Sequence, residues 1–416
     1  MNNVLIVSQH FPPEIGAAAN RMKQLTEGLA KRGFKLYVVT SRPSYPEPAV
    51  YAGMDWQAQH DRLRSQGIQV YACPAITRLF RGRVGRAANQ LLFLIVAWWL
   101  SLFVILRHRV GICLTTSPPF PVNLIGFTLS LLFRMRWVME VRDLWPDSLL
   151  ALTDLKETSF LFRGLKWLEH RFYRRAATVV VVTRRFQETL QSKGIRKEKI
   201  KVITNGIPDW LAETKASLSS PVTPAPDGDG KVRTDGGQKA PFKAIYIGNL
   251  GYAQGLEKIL EAARLLRDVP IEFYFVGEGL AKEQLQRLAA EWKLDNVTFI
   301  PAQTDKGRLR EWYLAGDVGI VSLKPSPLFE TVIPSKLFEY GALGIPILYI
   351  GRGEGAEIVE RYGLGFRTDY DAQAIKEGLE NLLEGKFQPD EKLVEQFKED
   401  YSWRRLIEEY CTILSQ

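Results

Sequence analysis

The chain opens twice in the same way. From Val4 it runs "VLIV", then the loop "SQHFPPEIGAAA" with Gly16, the helical "NRMKQLTEGLAKRG" closed by Gly33, and "LYVVT". From Ala244 it runs "AIYI", "GNLGYAQG", "LEKILEAARLLRD" and "IEFYFVG". The strand runs lack polar alternation, as parallel strands covered on both faces do. A strand, a glycine loop, an amphipathic helix and a second strand make a βαβ unit with a right-handed crossover. "NVTFIP", "DVGIVSL" and "PILYIG" add strands to the second half. The expected fold class is α/β, with two Rossmann-like domains facing each other across a cleft. Their ligands bind beyond the carboxyl ends of the strands, at the glycine loops. The last segment, "DYSWRRLIEEYCTILSQ", reads as a helix closing the second domain.

At roughly 150 residues per domain, 416 residues also call for more than one domain. Between the halves, "SLSSPVTPAPDGDGKVRTDGGQKAP" holds almost no bulky apolar side chain and reads as a flexible linker or insertion over 216–241. The domains are then 1–215 and 242–416. Charge changes sign at the same place. Residues 1–215 hold 31 Lys and Arg against 15 Asp and Glu, or +16, and the remainder holds 24 against 31, or −7. The basic half favours phosphate-bearing surfaces, membrane or nucleic acid. Its arginines interleave with aliphatic runs and lack the stacking aromatics of a strand binder, so no nucleic-acid partner is expected. Cys73, Cys113 and Cys411 are scattered, which fits a reduced, cytoplasmic compartment and argues against structural zinc. "MNNVLIVSQ" has neither a basic leader nor a cleavage site.

"LLFLIVAWWLSLFVIL" (Leu91–Leu106) has Ser101 as its one polar residue, between Arg81, Arg83 and Arg86 and Arg107, His108 and Arg109. It falls short of the ~20 residues a span needs. A buried crossover helix, an in-plane insertion with tryptophans and arginines at the headgroups, and a span remain open. "NLIGFTLSLLFRMRW" (Asn123–Trp137) has similar character and supports insertion. An anionic membrane surface is therefore an expected partner, bound through 81–109 at the cytoplasmic face of the cell membrane.

The stretch richest in chemistry is "FETVIPSKLFEYGALGIPI" (Phe329–Ile347). Pro334 suits a first helical turn, and Gly344 with Pro346 stops the helix, giving Ser335–Leu343. Lys336 and Glu339 share one face. A helix start attracts anions and Lys336 adds a full charge, so a ligand offering both a phosphate and a ribose diol suits the pair. A dipole-compensating surface role is the alternative for Glu330 and Glu339.

This stretch resembles the glutamate-pair motif of retaining GT-B glycosyltransferases of family 4, in the bacterial surface-polysaccharide branch that includes O-antigen and capsule fucosamine transferases. "QHFPPEIGAAANR" resembles the family's N-terminal glycine loop, "VRDLWPDS" (Val141–Ser148) its Arg-Asp-Leu-Trp-Pro segment, and "VITNGI" (Val202–Ile207) its hinge approach. "GNLGYAQGLEKIL" and "FVGEG" open the second domain as the family does. The order and near-full coverage carry the resemblance. Two departures stand out. Glu330 and Glu339 are one residue further apart than the family's Glu-x7-Glu, with Thr331 where the first glutamate falls. Asn249 and Gln254 stand where the family often has Arg and Lys.

The resemblance implies a nucleotide-sugar donor, most plainly a UDP-sugar, and a polyprenyl-diphosphate-linked saccharide acceptor, with no cofactor and no metal. No His, Asp and Glu cluster at metal-ligand spacing is read in the sequence. Lys336 would hold the diphosphate, Glu339 the ribose, and Glu330 would sit near the donor sugar. Gly248, Asn249, Gln254 and Ser335 belong to the donor site, and Gly16 would let the first loop approach phosphate or acceptor. Arg142 and Asp143 would bind hydroxyls or orient the acceptor, or form an ion pair ending a strand. His10 and Asn205 are the remaining acceptor-loop candidates. The competing readings are a sugar-nucleotide 2-epimerase and a non-catalytic membrane scaffold.

Overall fold

A computed structural model describes residues 3–14, 16–43, 51, 53–74, 82–152, 155–212, 241–303 and 305–416. The 216–241 linker lies outside the described residues except for Pro241, as does Arg81. Two compact units emerge, Met1–Asn205 with Trp403–Gln416, and Gly206–Ser402.

The first unit runs β1 (Asn3–Val7), α1 (Ala17–Lys31), β2 (Lys35–Ser41), α2 (Trp56–Ser65), β3 (Ile68–Cys73), α3 (Gly82–His108), β4 (Ile112–Ser117), α4 (Val122–Leu132), β5 (Arg136–Val141), α5 (Asp147–Leu152), α6 (Phe160–Arg175), β6 (Thr178–Val181), α7 (Arg184–Ser192) and β7 (Ile200–Val202). Its strands form a parallel sheet in the order β3-β2-β1-β4-β5-β6-β7. Leu5 and Val7 enter one apolar core while Val4 and Ile6 enter another, so β1 is buried on both faces. That double burial is why its sequence does not alternate.

The second unit runs α8 (Asp209–Ala212), β8 (Phe242–Ile247), α9 (Glu257–Leu265), β9 (Ile271–Val276), α10 (Lys282–Glu291), β10 (Val297–Ile300), α11 (Lys306–Leu314), β11 (Val318–Ser322), α12 (Ser335–Ala342), β12 (Ile347–Ile350), α13 (Glu354–Arg361), β13 (Gly365–Thr368), α14 (Ala372–Leu383) and α15 (Glu391–Asp400). The strands form a parallel sheet, β10-β9-β8-β11-β12-β13. In each unit strand order reverses beside the first strand, so each glycine loop lies at the switch point where such sheets bind ligands.

The closing helix α16 (Trp403–Ser415) forms as expected but belongs to the first unit. Trp403, Leu406, Ile407, Tyr410, Ile413 and Leu414 share a core with Met22, Leu25 and Leu29 of α1. Gly28 makes room: a Cβ there would lie 2.6 Å from the Ile407 side chain. Helix amphipathicity announces an apolar face, not which sheet it covers.

The apolar stretch within α3 is the crossover helix from β3 to β4. Phe93, Ala97, Ser101 and Val104 are buried on its inner face, while Leu91, Ile95, Trp99, Phe103 and Leu106 are exposed. By length and composition alone Ala88–His108 could cross a membrane, yet its inner face is committed to the sheet. Asn123–Trp137, expected as one insertion-prone stretch, is instead helix α4 followed by strand β5. Trp137 is buried and donates its Nε1–H to Thr115 Oγ1 at 2.9 Å, so it is a core residue.

Candidate functional site

At the carboxyl edge of the second sheet, β8 ends in Gly248-Asn249, and α12 follows Pro334. Pro334 stands just before the helix with extended backbone (φ −62°, ψ 134°), one position earlier than expected, and Ser335 is the exposed first helical residue. Lys336 reaches back over β8, with Nζ 4.5 Å from the centroid of the buried Tyr246 ring. Tyr246 is fixed by donating its hydroxyl to Asn249 O at 2.7 Å. Gly248, at φ 137°, is required twice: its backbone is one that L-residues avoid, and a Cβ would lie 2.7 Å from Lys336 Nζ. No carboxylate lies within ion-pair distance of this ammonium among the described residues. An aromatic face attracts a cation without neutralising it, so the charge remains available to an anion.

Asn249 Nδ2 and Gln254 Oε1 flank Gly251, 2.6 and 2.7 Å from where its Cβ would stand. The Gln254 Oε1 is buried with no hydrogen-bond partner. Both residues therefore share the loop that carries Gly248, and a buried unpaired acceptor there leaves polar capacity unused. The same loop is tied to the end of β11, where Ser322 Oγ donates to Gln254 O at 2.7 Å and Lys324 N–H to Ala253 O at 2.9 Å.

Glu339, one turn along α12, is engaged by the buried Tyr313 hydroxyl of α11. Burial lifts its carboxyl above the usual carboxylate range, although the Tyr313 hydrogen bond and the Lys336 charge pull it down. It is therefore a set acceptor and not a solvated helix-start residue. Glu330 lies in a 3-10 turn, Phe329–Thr331, whose backbone meets Gly353 at the start of α13. A Cβ on Gly353 would lie 2.2 Å from Glu330 O, so only glycine allows the approach. Gly353 belongs to "IGRGEGAE", a further strand–glycine loop–helix passage that the sequence shows openly and that the motif reading passed over. Tyr246 and Tyr313 had no such signal.

The carboxyl edge of the first sheet is organised around a buried charge cluster. Arg21 of α1 pairs with Glu140 of β5 at 3.0 Å, and both are almost wholly buried. The guanidinium also donates to Ile203 O at 2.9 Å, Thr204 O at 2.6 Å and Asn205 Oδ1 at 3.2 Å. Tyr410 of α16 donates to Glu140, and Thr116 Oγ1 does so at 2.6 Å. Burial opposes the charge of Glu140, but Arg21 and Arg142 outweigh it and hold the carboxyl below its ordinary range. Burial likewise opposes the charge of Arg21, and Glu140 and Tyr410 hold its pKa above the ordinary value.

Arg142 and Asp143 do not pair with each other. Arg142 donates to Thr116 Oγ1 at 2.9 Å and lies 3.7 Å from Glu140, and burial lowers its pKa. The Asp143 carboxylate receives Trp145 Nε1–H at 3.0 Å and the Ser148 hydroxyl. His10 Nδ1 lies 2.8 Å from Glu14 Oε2, and Ser8 Oγ donates to His10 O at 2.7 Å, so this ring is held by its own loop. Gly16, at φ 146°, precedes α1 in open space. Arg21, Glu140 and Tyr410 escaped the sequence reading because 119 and 270 residues separate the partners. Among the described residues no three His, Cys, Asp or Glu side chains gather as a metal-ion site would require.

Comparison with known proteins matches each half of the chain to a family model. Residues 16–206 match the glycosyl transferase 4-like domain and residues 233–400 the glycosyl transferases group 1 model. The chain is 24% identical over 366 residues, 82% of its length and 81% of the relative's, to WcaI of Escherichia coli (strain K12), a glycosyl transferase assigned to colanic acid biosynthesis. Among solved structures, sucrose-phosphate synthase from Thermosynechococcus elongatus superposes with a TM-score of 0.72 at 17% identity, covering 100% of this chain and 98% of that one. HepE of Anabaena, in complex with UDP and glucose, gives 0.64 at 16% identity and covers 99% of each chain.

Proposed function

This chain belongs to the group 1 glycosyltransferases of GT-B fold, and from that premise we propose that it transfers a sugar, with retention, from a UDP-sugar to a lipid-linked saccharide. The reaction serves bacterial surface-polysaccharide synthesis at the cytoplasmic face of the membrane. The observation that carries the donor half is the Lys336 ammonium, seated between Gly248 and the Tyr246 ring without an acidic partner among the described residues. Cleavage of the anomeric C–O bond leaves new negative charge on the diphosphate. A fixed cation at a helix start stabilises that charge more in the transition state than in the ground state, which accelerates transfer without a metal.

Glu339, held by Tyr313, accepts from the ribose diol, and Glu330 beside the Gly353 loop contacts the donor sugar. Asn249, Gln254 and Ser335 complete the phosphate-side contacts, the two side-chain amide N–H groups and the serine hydroxyl donating to phosphate oxygens. In the first unit Gly16, His10, Arg142, Asp143 and Asn205 shape the acceptor side. The known complex of HepE with UDP and glucose supports the choice of base, and the colanic acid assignment of WcaI supports the pathway class. The exposed apolar face of α3, within a half carrying +16, supports a bilayer as the acceptor's location.

Incubating the full chain with UDP-, GDP- and dTDP-sugars, with and without a polyprenyl-diphosphate saccharide, tests the reading. It expects turnover of a UDP-sugar only when lipid acceptor is present, with the donor's anomeric configuration kept in the product. Sugar-nucleotide isomerisation without acceptor, or an inverted linkage, contradicts it.

A further inference from the structure

Helix α6 presents to solvent a stripe that folding leaves unexplained. Phe160 is 91% exposed, Leu161 63% and Trp167 60%, while Phe162, Phe172 and Tyr173 of the same helix are buried. Phe160, Arg163, Trp167, Arg171 and Arg174 recur at intervals of three and four and are all exposed, so aromatic and basic side chains share one helical face. The Arg171 guanidinium lies 5.1 Å above the Trp167 ring.

Two further observations say what covers that face. Helix α4 packs against both α3 and α6, and α3 and α4 also expose apolar side chains, Trp99 and Phe103 on one, Leu131 and Leu132 on the other. The three helices together contain a single acidic residue, Glu169. It is buried and paired with Lys193 at 2.7 Å and Lys166 at 3.2 Å, so no acid on these helices reaches solvent. Helical faces of aromatics and arginines, without an exposed carboxylate on the three helices themselves, are complementary to an anionic lipid interface, although Glu157 is exposed in the turn before Phe160. Topology adds a direction. α6 leads into the amino end of β6, so Phe160 and Leu161 begin it at the carboxyl edge of the parallel sheet, the edge where such sheets bind ligands.

We propose that the Phe160–Leu161–Trp167 face of α6 inserts into the interface of an anionic leaflet and sets the carboxyl edge of the first sheet at the lipid headgroups. The inference rests on the membrane reading above and adds to it an element outside 81–109, together with an orientation. An acceptor carried on a lipid diphosphate would then meet the protein at the edge where His10 and Arg142 lie.

The full chain is sedimented with phosphatidylcholine vesicles, with and without phosphatidylglycerol. The double variant Phe160→Asp, Leu161→Asp should lower partition onto anionic vesicles by about tenfold or more, since it strips two apolar anchors from the interface. Its thermal midpoint and nucleoside diphosphate affinity should match wild type, because both side chains are exposed. Arg163→Gln with Arg171→Gln and Arg174→Gln should lose only the phosphatidylglycerol-dependent part of binding. Turnover should fall with the lipid-linked acceptor and persist with a water-soluble analogue. Wild-type binding with unaltered partition of the double variant overturns the role of α6 and leaves the membrane reading standing. Absence of wild-type binding to either vesicle overturns both. A change from dimer to monomer in the variant, with vesicle binding unchanged, assigns the face to a second copy and overturns the proposal.

Discussion

The two carboxyl edges begin from the same sequence plan and treat buried charge in opposite ways. In the first unit Arg21 and Arg142 surround Glu140, two hydroxyls complete its hydrogen bonds, and the cluster closes on itself. In the second, Lys336 lies over the Tyr246 ring with no carboxylate at ion-pair distance among the described residues, and Glu339 takes the Tyr313 hydroxyl and feels the Lys336 charge. The carboxyl pKa values register the contrast: Glu140 is held down by two arginines, whereas burial dominates at Glu339 and lifts it. A half-sequence charge of +16 therefore says little about where an anion is wanted. Lys336, a cation at a sheet edge without a carboxylate at ion-pair distance among the described residues, is in the acidic half.

The comparison breaks most visibly at Glu140. Glu140→Ala leaves Arg21 and Arg142 buried without their counter-ion and should cost about 3–5 kcal/mol of stability in denaturant unfolding. A loss under about 1 kcal/mol would mean the cluster is not the knot described. Next in size is Gly248→Ala. The φ of 137° and the approach to Lys336 should together cost about 1–3 kcal/mol of stability and weaken nucleoside diphosphate binding by calorimetry, while glycine-to-alanine change at exposed Gly164 should do neither.

Tyr313→Phe sharpens the second edge. It removes the donor that lowers the Glu339 pKa, so that pKa should rise further, with a stability loss of about 1 kcal/mol. Nucleoside diphosphate binding should then need a higher pH to reach its plateau, whereas inorganic diphosphate, lacking a ribose, should show no such shift. The smallest effect is in the acid limb of unfolding. Because the folded pKa of Glu140 is depressed, its contribution is complete above the ordinary glutamate value of about 4.3 and is lost as pH falls below it. Glu140→Gln should flatten that limb, and an unchanged slope would contradict the assignment.

Much of this arrangement was legible in the sequence because parallel strands buried on both faces must be uninterruptedly apolar, and glycine loops mark where they end. Gly248 stands in such a loop and Lys336 at a helix start, and the family resemblance implies their donor-site roles. What could not be read was partnership at long range. Tyr313 lies 26 residues from Glu339, and Arg21 lies 119 from Glu140. No periodicity links such pairs, since only the closed sheet brings them together. The same limit assigns α16 to the second domain and reads Asn123–Trp137 as one insertion-prone stretch, when Gly126 admits Trp137 to the core.

The central claim is that the Lys336 ammonium awaits a diphosphate. Calorimetric titration of wild type and Lys336→Ala with UDP, UMP and uridine tests it most directly. The account predicts that the variant folds normally, binds UDP roughly ten- to a hundredfold more weakly, and binds uridine as wild type does. Equal UDP affinity in the two proteins would contradict it.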